Sequence, residues 1–496
     1  MVAISINSGL NIFRINSISR SIWLIILILS VFLVYNCTTP TSSQQSNPLK
    51  NITLQVLSDT TLSIAWLGVF NPDDSVQIDR KVGEASWQSI YKTVRALDYS
   101  CIDTLFSVHT DTVYAYRLRL VEDKDISLHT QIVALLSEQC VPVSFSARQI
   151  DQSTVRIAWR DQSIGESGFR IERQIGEGNW YSEYAQTDSN TYEYFDTKVN
   201  NSDEIHYRIA AYAGVSESAF SPTAGVTLGA LTLSNLYFGT DYTFEVMTWN
   251  LLSFPRFDTL TISSVSQTLK ALEVDIVGLQ EIRSIAGFEQ LLDSLDTWTG
   301  YRANSAAYDI DLAYVYNPAN ISVNAIYEIF EHENAFPRSP LVVDLTWNSN
   351  RFFIINNHYK AYDTEEDRSR RLRANTLLEN YIDTNLSDAN VIVIGDFNDE
   401  LPDAPSVNVF WPFLSSPSLY KFADYAIAEG SRTYWSYPTW PSHLDHILIT
   451  DELFSTFANS ESVIKTLMVD NYMSGGWNEY YLKISDHRPV ALKLAF

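Results

Sequence analysis

The feature that most restricts this fold is a series of strand-length apolar runs, each stopped or opened by a polar residue. From residue 241 onward, FEVMTW ends on Asn250, DIVGLQ on Glu281, FFIINN on His358, and VIVIG on the turn GDFND with Asp396 and Asn398. Asp445 and His446 open HILIT, and Asp486 and His487 precede RPVALKL. Helical stretches at 262–272 and 366–381 lie between the runs. Several runs are apolar at every position, as in sheets covered on both faces. The pattern predicts an α/β or α+β domain of mixed sheets over residues 241–496. Each polar residue alone has an ordinary explanation: Asn250 as a turn former, His358 as a satisfied core histidine, Asp486 as part of a cap. Gathered at the rims of one domain's strands, where sites are usually built, they predict chemistry instead.

Upstream the chain repeats itself. SDTTLSIAW (58–66) aligns with DQSTVRIAW (151–159), and IDRKVGEASW (78–87) with IERQIGEGNW (171–180), both at an offset of 93 residues. Tyr116 pairs with Tyr207 at an offset of 91, a slip that one loop absorbs. Val155, Ile157 and Trp159 alternate with Thr154, Arg156 and Ala158, so one face turns inward. About 90 residues of short alternating strands read as one β-sandwich per copy. The copies resemble fibronectin type III modules, over 49–138 and 141–228, with Trp66 and Trp159 as the family's buried tryptophan. Neither holds a cluster of His, Asp and Glu, so both read as spacers or adhesion modules with surface partners. Cys101 and Cys140 leave two alternatives open, a disulfide or two buried free thiols.

The first 37 residues read as a targeting segment. Arg14 and Arg20 precede the apolar run Ile22–Tyr35, which is short for a membrane span and right for a signal core. Cys37 follows, then a polar linker over 38–48. This order resembles a bacterial lipoprotein signal in which Cys37 is lipidated, although Asn36 stands where a small residue is usual. An uncleaved membrane helix and ordinary secretion are the alternatives. All three export the rest of the chain, and two of them attach it to a membrane.

The ordered elements N, QE, H, GDFN, DH and SDHRP resemble the endonuclease/exonuclease/phosphatase superfamily. The resemblance implies a four-layer α/β/β/α catalytic domain that hydrolyses phosphoesters with a divalent cation, Mg2+ first, with Mn2+ or Ca2+ as alternatives. It assigns Glu281, Asn250 and Asp486 as metal ligands. His487 becomes the general base, oriented by Asp445. His358 contacts the phosphate or protonates the leaving oxygen, and Asp396 and Asn398 serve water or phosphate. An imidazole in His358's role needs a carboxylate behind it, for which Asp311 is favoured over Asp309. A deoxyribonuclease-like reading adds Arg283 as a phosphate clamp and Tyr308 as a stacking residue. Arg368, Arg370, Arg371 and Arg373 read as a solvated, salt-bridged helix face, since Glu365, Glu366 and Asp367 adjoin them. His443 and His446 take no role.

A net charge of −25 excludes a broad basic surface for gripping nucleic acid. It does not exclude an enzyme that reaches phosphate through a cation, because carboxylates are what hold hard cations. The expected substrate is DNA or RNA. The alternatives are a phosphomonoester or phospholipid head group on the same fold, and an adhesion protein with an inactive domain.

Overall fold

The computed structural model describes residues 48–107, 111–123, 125–136, 138–200, 204–306 and 310–496. The segment expected to direct export, with Cys37, and Tyr308 and Asp309 lie outside the described residues. Among the described residues no helix is long and apolar enough to cross a membrane. Contacts divide the chain into two compact units. One holds residues up to 146 with 158–194 and 205–225, and the other holds 147–157, 195–204 and 226–496.

The N-terminal region is all β, and the repeat is visible in its sheets. In the first copy Lys50–Ser58, Thr61–Leu67 and Ser100–Asp103 form a three-stranded sheet, beside a five-stranded sheet centred on Ser75–Val82 and Tyr114–Glu122. The second copy repeats both, with Val143–Gln149, Val155–Arg160 and Glu193–Asp196 in one and Gly168–Ile175 and Glu204–Ala213 at the centre of the other. Val155, Ile157 and Trp159 are buried as their alternation requires. Trp66 is buried with Nε1 donating to the Ala96 carbonyl at 3.1 Å. Tyr116 is buried too, and its hydroxyl donates to Asp103 at 2.6 Å. Cys101 and Cys140 are buried and form no disulfide with each other. They sit in separate apolar clusters, Cys101 beside Trp66 and Ile64 and Cys140 beside Val113 and Ala134.

The C-terminal part contains two six-stranded sheets. The first is built from β1 (Phe244–Phe254), β2 (Ile276–Ile282), β3 (Thr299–Arg302), β4 (Asp311–Tyr316), β11 (Val463–Thr466) and β12 (Val490–Leu494), in the order β3-β4-β2-β1-β12-β11. The second contains β5 (Ile321–Glu328), β6 (Leu341–Trp347), β7 (Asn350–His358), β8 (Asn390–Asp396), β9 (Tyr420–Phe422) and β10 (Asp445–Thr450), ordered β5-β6-β7-β8-β10-β9. One core draws Phe244, Val246, Ile276 and Tyr314 from the first sheet and Val343, Ile354, Ile392 and Ile447 from the second. A second core packs Val265, Leu269 and Leu272 of α1 (Asp258–Leu272) on Met247, Trp249 and Val277. A third packs Leu378 and Ile382 of α2 (Glu365–Asn385) on Ile355, Val391 and Val393. Strands with an apolar core on each face are why these runs do not alternate.

Two buried polar links fix this frame. Gln280, the residue before Glu281, reaches from the first sheet to the second, donating to Asn356 Oδ1 at 2.7 Å and to Thr248 Oγ1 at 3.0 Å. At the opposite end of β1 from Asn250, the buried Glu245 carboxyl lies against Asp275, whose Oδ2 accepts from the Glu245 amide at 2.9 Å. Burial, and then the charge of Asp275, pushes Glu245 up to about 9.

Candidate active site

Strand register assembles the site. β7 and β8 run parallel with His358 opposite Asp396, and β8 and β10 run antiparallel with Asp396 opposite Asp445. Cross-strand partners share a face, so one imidazole and two carboxylates stand in a row. Gly395 permits this: its φ is +148°, and a Cβ there would lie 2.1 Å from the Asn357 carbonyl. In the first sheet β1 and β2 are parallel with Asn250 opposite Gln280, and their register shifts beyond that point. Leu252, Ser253 and Glu281 there all have positive φ, an uncommon state for residues with side chains and one that gathers at sites. The bend lets the Ser253 amide donate to Glu281 Oε2 at 2.9 Å.

The two sheets bring these groups together. The Asn250 amide donates to Asp396 Oδ2 at 3.0 Å and Glu281 Oε1 at 3.3 Å. His358 Nε2 lies 3.4 Å from Asp396 Oδ2 and 4.0 Å from Glu281 Oε1. His487 Nδ1 is 2.7 Å from Asp445 Oδ2, and its Nε2 is 3.9 Å from Asp396 Oδ2. Asn398 donates its amide N–H to Asp396 Oδ1 at 3.0 Å and its side-chain amide to the Tyr359 carbonyl at 3.2 Å. Asp486 Oδ1 is buried with no hydrogen-bond partner among the described residues. The Glu281 charge acts on Asp486, whose pKa is raised chiefly by burial. Two carboxylates near enough for one charge to act on the other, with an unanswered buried oxygen, are a donor set that suits a hard divalent cation.

Asn250 donates to two carboxylates, and its oxygen accepts from the Leu252 amide at 3.0 Å, so it orients the acids beside it. Two expected placements change. Asp311 does not back His358. It is paired with Arg302 at 2.7 Å, because that guanidinium is nearly buried and needs a carboxylate, while His358 Nδ1 has no partner among the described residues. Arg371 is not solvated: it is buried, bonds Asp399 at 2.7 Å, and donates to the carbonyls of Lys360 and Tyr362. Arg368 and Arg373 do pair with surface acids, Asp363 and Glu333. Arg283 is exposed, its amide donating to the Phe254 carbonyl at 3.1 Å.

Two residues of the site escape a reading of the sequence. Arg338, between β5 and β6, donates Nε to the Ile310 carbonyl at 3.2 Å, and its guanidinium forms no ion pair among the described residues. Burial lowers its pKa, while the charges of Glu281, Asp396 and Asp311 oppose that shift. It is therefore a cation facing the site without a partner of its own. Tyr437 lays its ring 4.7 Å from that of His487. Its hydroxyl is raised by burial and then by Asp486 and Asp396.

The two histidines differ in charge. Burial, then the charges of Arg338 and His487, holds His358 well below the usual imidazole range, so it is neutral. For His487 burial opposes the charge, but Asp445 and Asp396 outweigh it and push the imidazole up to about 10. Burial, reinforced by Asp445, pushes Asp396 up to about 7 against the pull of His487.

Residues 247–487 match the model of the Endonuclease/Exonuclease/phosphatase family, and this segment is a domain of that family. Comparison with curated proteins gives no match. Among solved structures, D. rerio TDP2 complexed with single strand DNA product is 12% identical, covering 51% of this chain and 99% of that one at a TM-score of 0.40. The human Nocturnin catalytic domain with bound sulfate anion is 18% identical, with coverage of 51% and 94% and a TM-score of 0.37. An endonuclease/exonuclease/phosphatase from Bacteroides vulgatus is 14% identical, covering 51% and 98% at 0.36.

Proposed function

Starting from a family domain at residues 247–487, we propose that this chain is an exported, membrane-anchored, Mg2+-dependent phosphodiesterase that hydrolyses nucleic acid. In this reading the catalytic domain has α/β/β/α layering, and two fibronectin type III-like modules hold it away from the anchor at Cys37. The carrying observation is the convergence on Asp396 of His358, His487 and Asn250, beside a Glu281–Asp486 pair with one unpartnered buried oxygen.

Glu281 and Asp486 would hold the cation. Bound there, magnesium supplies positive charge that polarises the phosphoryl oxygen and offsets the carboxylate field around His487. His487, fixed through Nδ1 by Asp445, presents Nε2 as the atom that takes a proton from water. His358 is neutral and donates one hydrogen bond to a phosphoryl oxygen. Arg338 supplies the fork of donors that matches a phosphate, in the role first expected of Arg283.

The test is a substrate panel with the purified protein: plasmid, single-stranded DNA and RNA against inositol phosphates and sphingomyelin, with magnesium or manganese. Cleavage of a nucleic acid supports the reading. Turnover confined to the small phosphates or lipid replaces the substrate and leaves the phosphoesterase. The domain has 35 acidic against 17 basic residues over 241–496, so few phosphates are neutralised by side chains. Binding should therefore weaken with salt along a shallow slope, roughly 0.9 log units per phosphate contacted.

A further inference from the structure

Behind the row of catalytic groups lies a second cluster that the mechanism does not use. Asp424 is fully buried and accepts three hydrogen bonds: from His446 Nδ1 at 2.6 Å, His443 Nε2 at 3.1 Å and the Ile447 amide at 2.9 Å. These side chains have the composition of a metal site, with ligand atoms close together. The hydrogen bonds argue otherwise. His443 Nδ1 accepts from the Ser436 amide at 3.2 Å, which leaves the ring proton on Nε2, where a metal would need a lone pair.

His446 faces two acceptors and no donor. Nδ1 meets the Asp424 carboxylate, and Nε2 meets the Asp399 carbonyl at 3.0 Å. Only the imidazolium has a proton for both. The rings of Phe397, Phe410 and Phe422 surround it with centroids 5.3–5.9 Å away, which suits a buried cation. Both of its neighbours lead to the site. Asp399 ends the turn that carries Asp396 and Asn398, and His446 follows Asp445 in β10. Through His443 the cluster also reaches Ser436, whose hydroxyl accepts from the Asp445 amide at 3.2 Å.

We propose that His446 is a permanent imidazolium and a positioning residue, which with Asp424 ties the Asp396–Asp399 turn to the strand bearing Asp445 and so sets the separation of Asp396 from His487. The function of this pair rests on the phosphodiesterase reading, but its charge state does not. Asp424→Asn is the informative change, because it removes the charge that faces the imidazolium and leaves one acceptor oxygen where Asp424 uses Oδ2 for both rings and Oδ1 for the Ile447 amide. His446→Gln is the second variant, since glutamine can reach only one of the two acceptors.

The experiment uses the full chain with 15N-labelled histidine and, in parallel, magnesium-dependent cleavage of bis(p-nitrophenyl) phosphate and a single-stranded oligonucleotide. Wild type should show both His446 ring N–H protons at pH 8, and Asp424→Asn should lose one. Well below the melting temperature, both variants should lose about 10- to 100-fold in kcat with KM changed by less than about twofold, the range for residues that orient a site from behind. A neutral His446 in the wild-type protein at pH 8, or tight zinc binding by the cluster, overturns the proposal. So does an unchanged kcat in both folded variants. If the wild-type protein cleaves neither substrate, the phosphodiesterase reading fails on its own, and the ring protons still decide the charge of His446.

Discussion

Glu245→Gln should stabilise the protein, and increasingly so as pH rises. The Glu245 carboxyl accepts from Thr243 and, at 3.3 Å, from the Thr240 amide, while its second oxygen is buried without a donor and faces Asp275. Held up to about 9, this group keeps its proton at neutral pH in the folded chain. In the unfolded chain a glutamate loses that proton near pH ~4.3. The folded state therefore binds the extra proton between these two values. The stability it contributes is full below the unfolded value and is lost as pH climbs toward the folded one. One proton corresponds to about 1.4 kcal/mol per pH unit, so from pH 5 to pH 8 the cost reaches roughly 4 kcal/mol. Glutamine keeps the shape and offers Asp275 an N–H that does not titrate. Urea unfolding at pH 5, 6, 7 and 8, followed by tryptophan fluorescence, should give curves that nearly coincide at pH 5. The variant should then lead by a growing margin. A constant offset across the four pH values would show that Glu245 holds no extra proton, and the account of this pair would fail.

Glu281→Gln should cost about 100-fold or more in kcat with the fold intact, comparable to the loss of one transition-state stabiliser, and EDTA should abolish wild-type turnover. Activity that survives EDTA would remove the metal from the mechanism. His487→Ala and His358→Ala should each be severely impaired, and their combination little worse than the weaker single variant, as for groups that act as one unit; strictly multiplicative losses would separate their roles. Arg338→Ala should raise KM or lower kcat/KM by about 10-fold or more while metal affinity is unchanged, and Arg283→Ala should do less; the reverse order would restore Arg283 as the clamp. Cys37→Ser should move the protein from the membrane fraction to the soluble one, and a variant that stays membrane-bound would point to an uncleaved helix.

What the sequence revealed follows from where each signal lies along the chain. His358, Asp396 and Asp445 were legible because each interrupts an apolar strand, and strand ends converge by topology. The pairing of Asp445 with His487 came from resemblance, and the 2.7 Å contact gives its geometry. Arg338 left no trace: it stands in FPRSP, a loop with no periodicity, and its approach to the site depends on packing between β5 and β6. For Asp311 the sequence misleads, because two carboxylates in YDIDLAY fit a backing role, while its partner Arg302 lies in another strand whose register the sequence does not show. Glu245 and Asp275 lie in the strand-length runs FEVMTW and DIVGLQ, and nothing local indicates that one buried carboxyl will meet another. His446 takes no role from sequence for the same reason, because Asp424 and Asp399 reach it from 22 and 47 residues away.

The row His358–Asp396–Asp445 has a consequence for how such a domain can change. The spacing of these three side chains is set by the distance between hydrogen-bonded strands, roughly 4.8 Å, and by no loop. Exposed segments that carry none of the positioning side chains, such as 415–419 and 438–441, can be lengthened, shortened or replaced without altering the distances at which protons are exchanged. Chemistry and substrate choice are thus mechanically separate. A graft of those rim segments from a relative should transfer preference at constant reaction type, whereas a single-residue insertion inside β8 would turn Asp396 to the opposite face and end turnover with every loop intact.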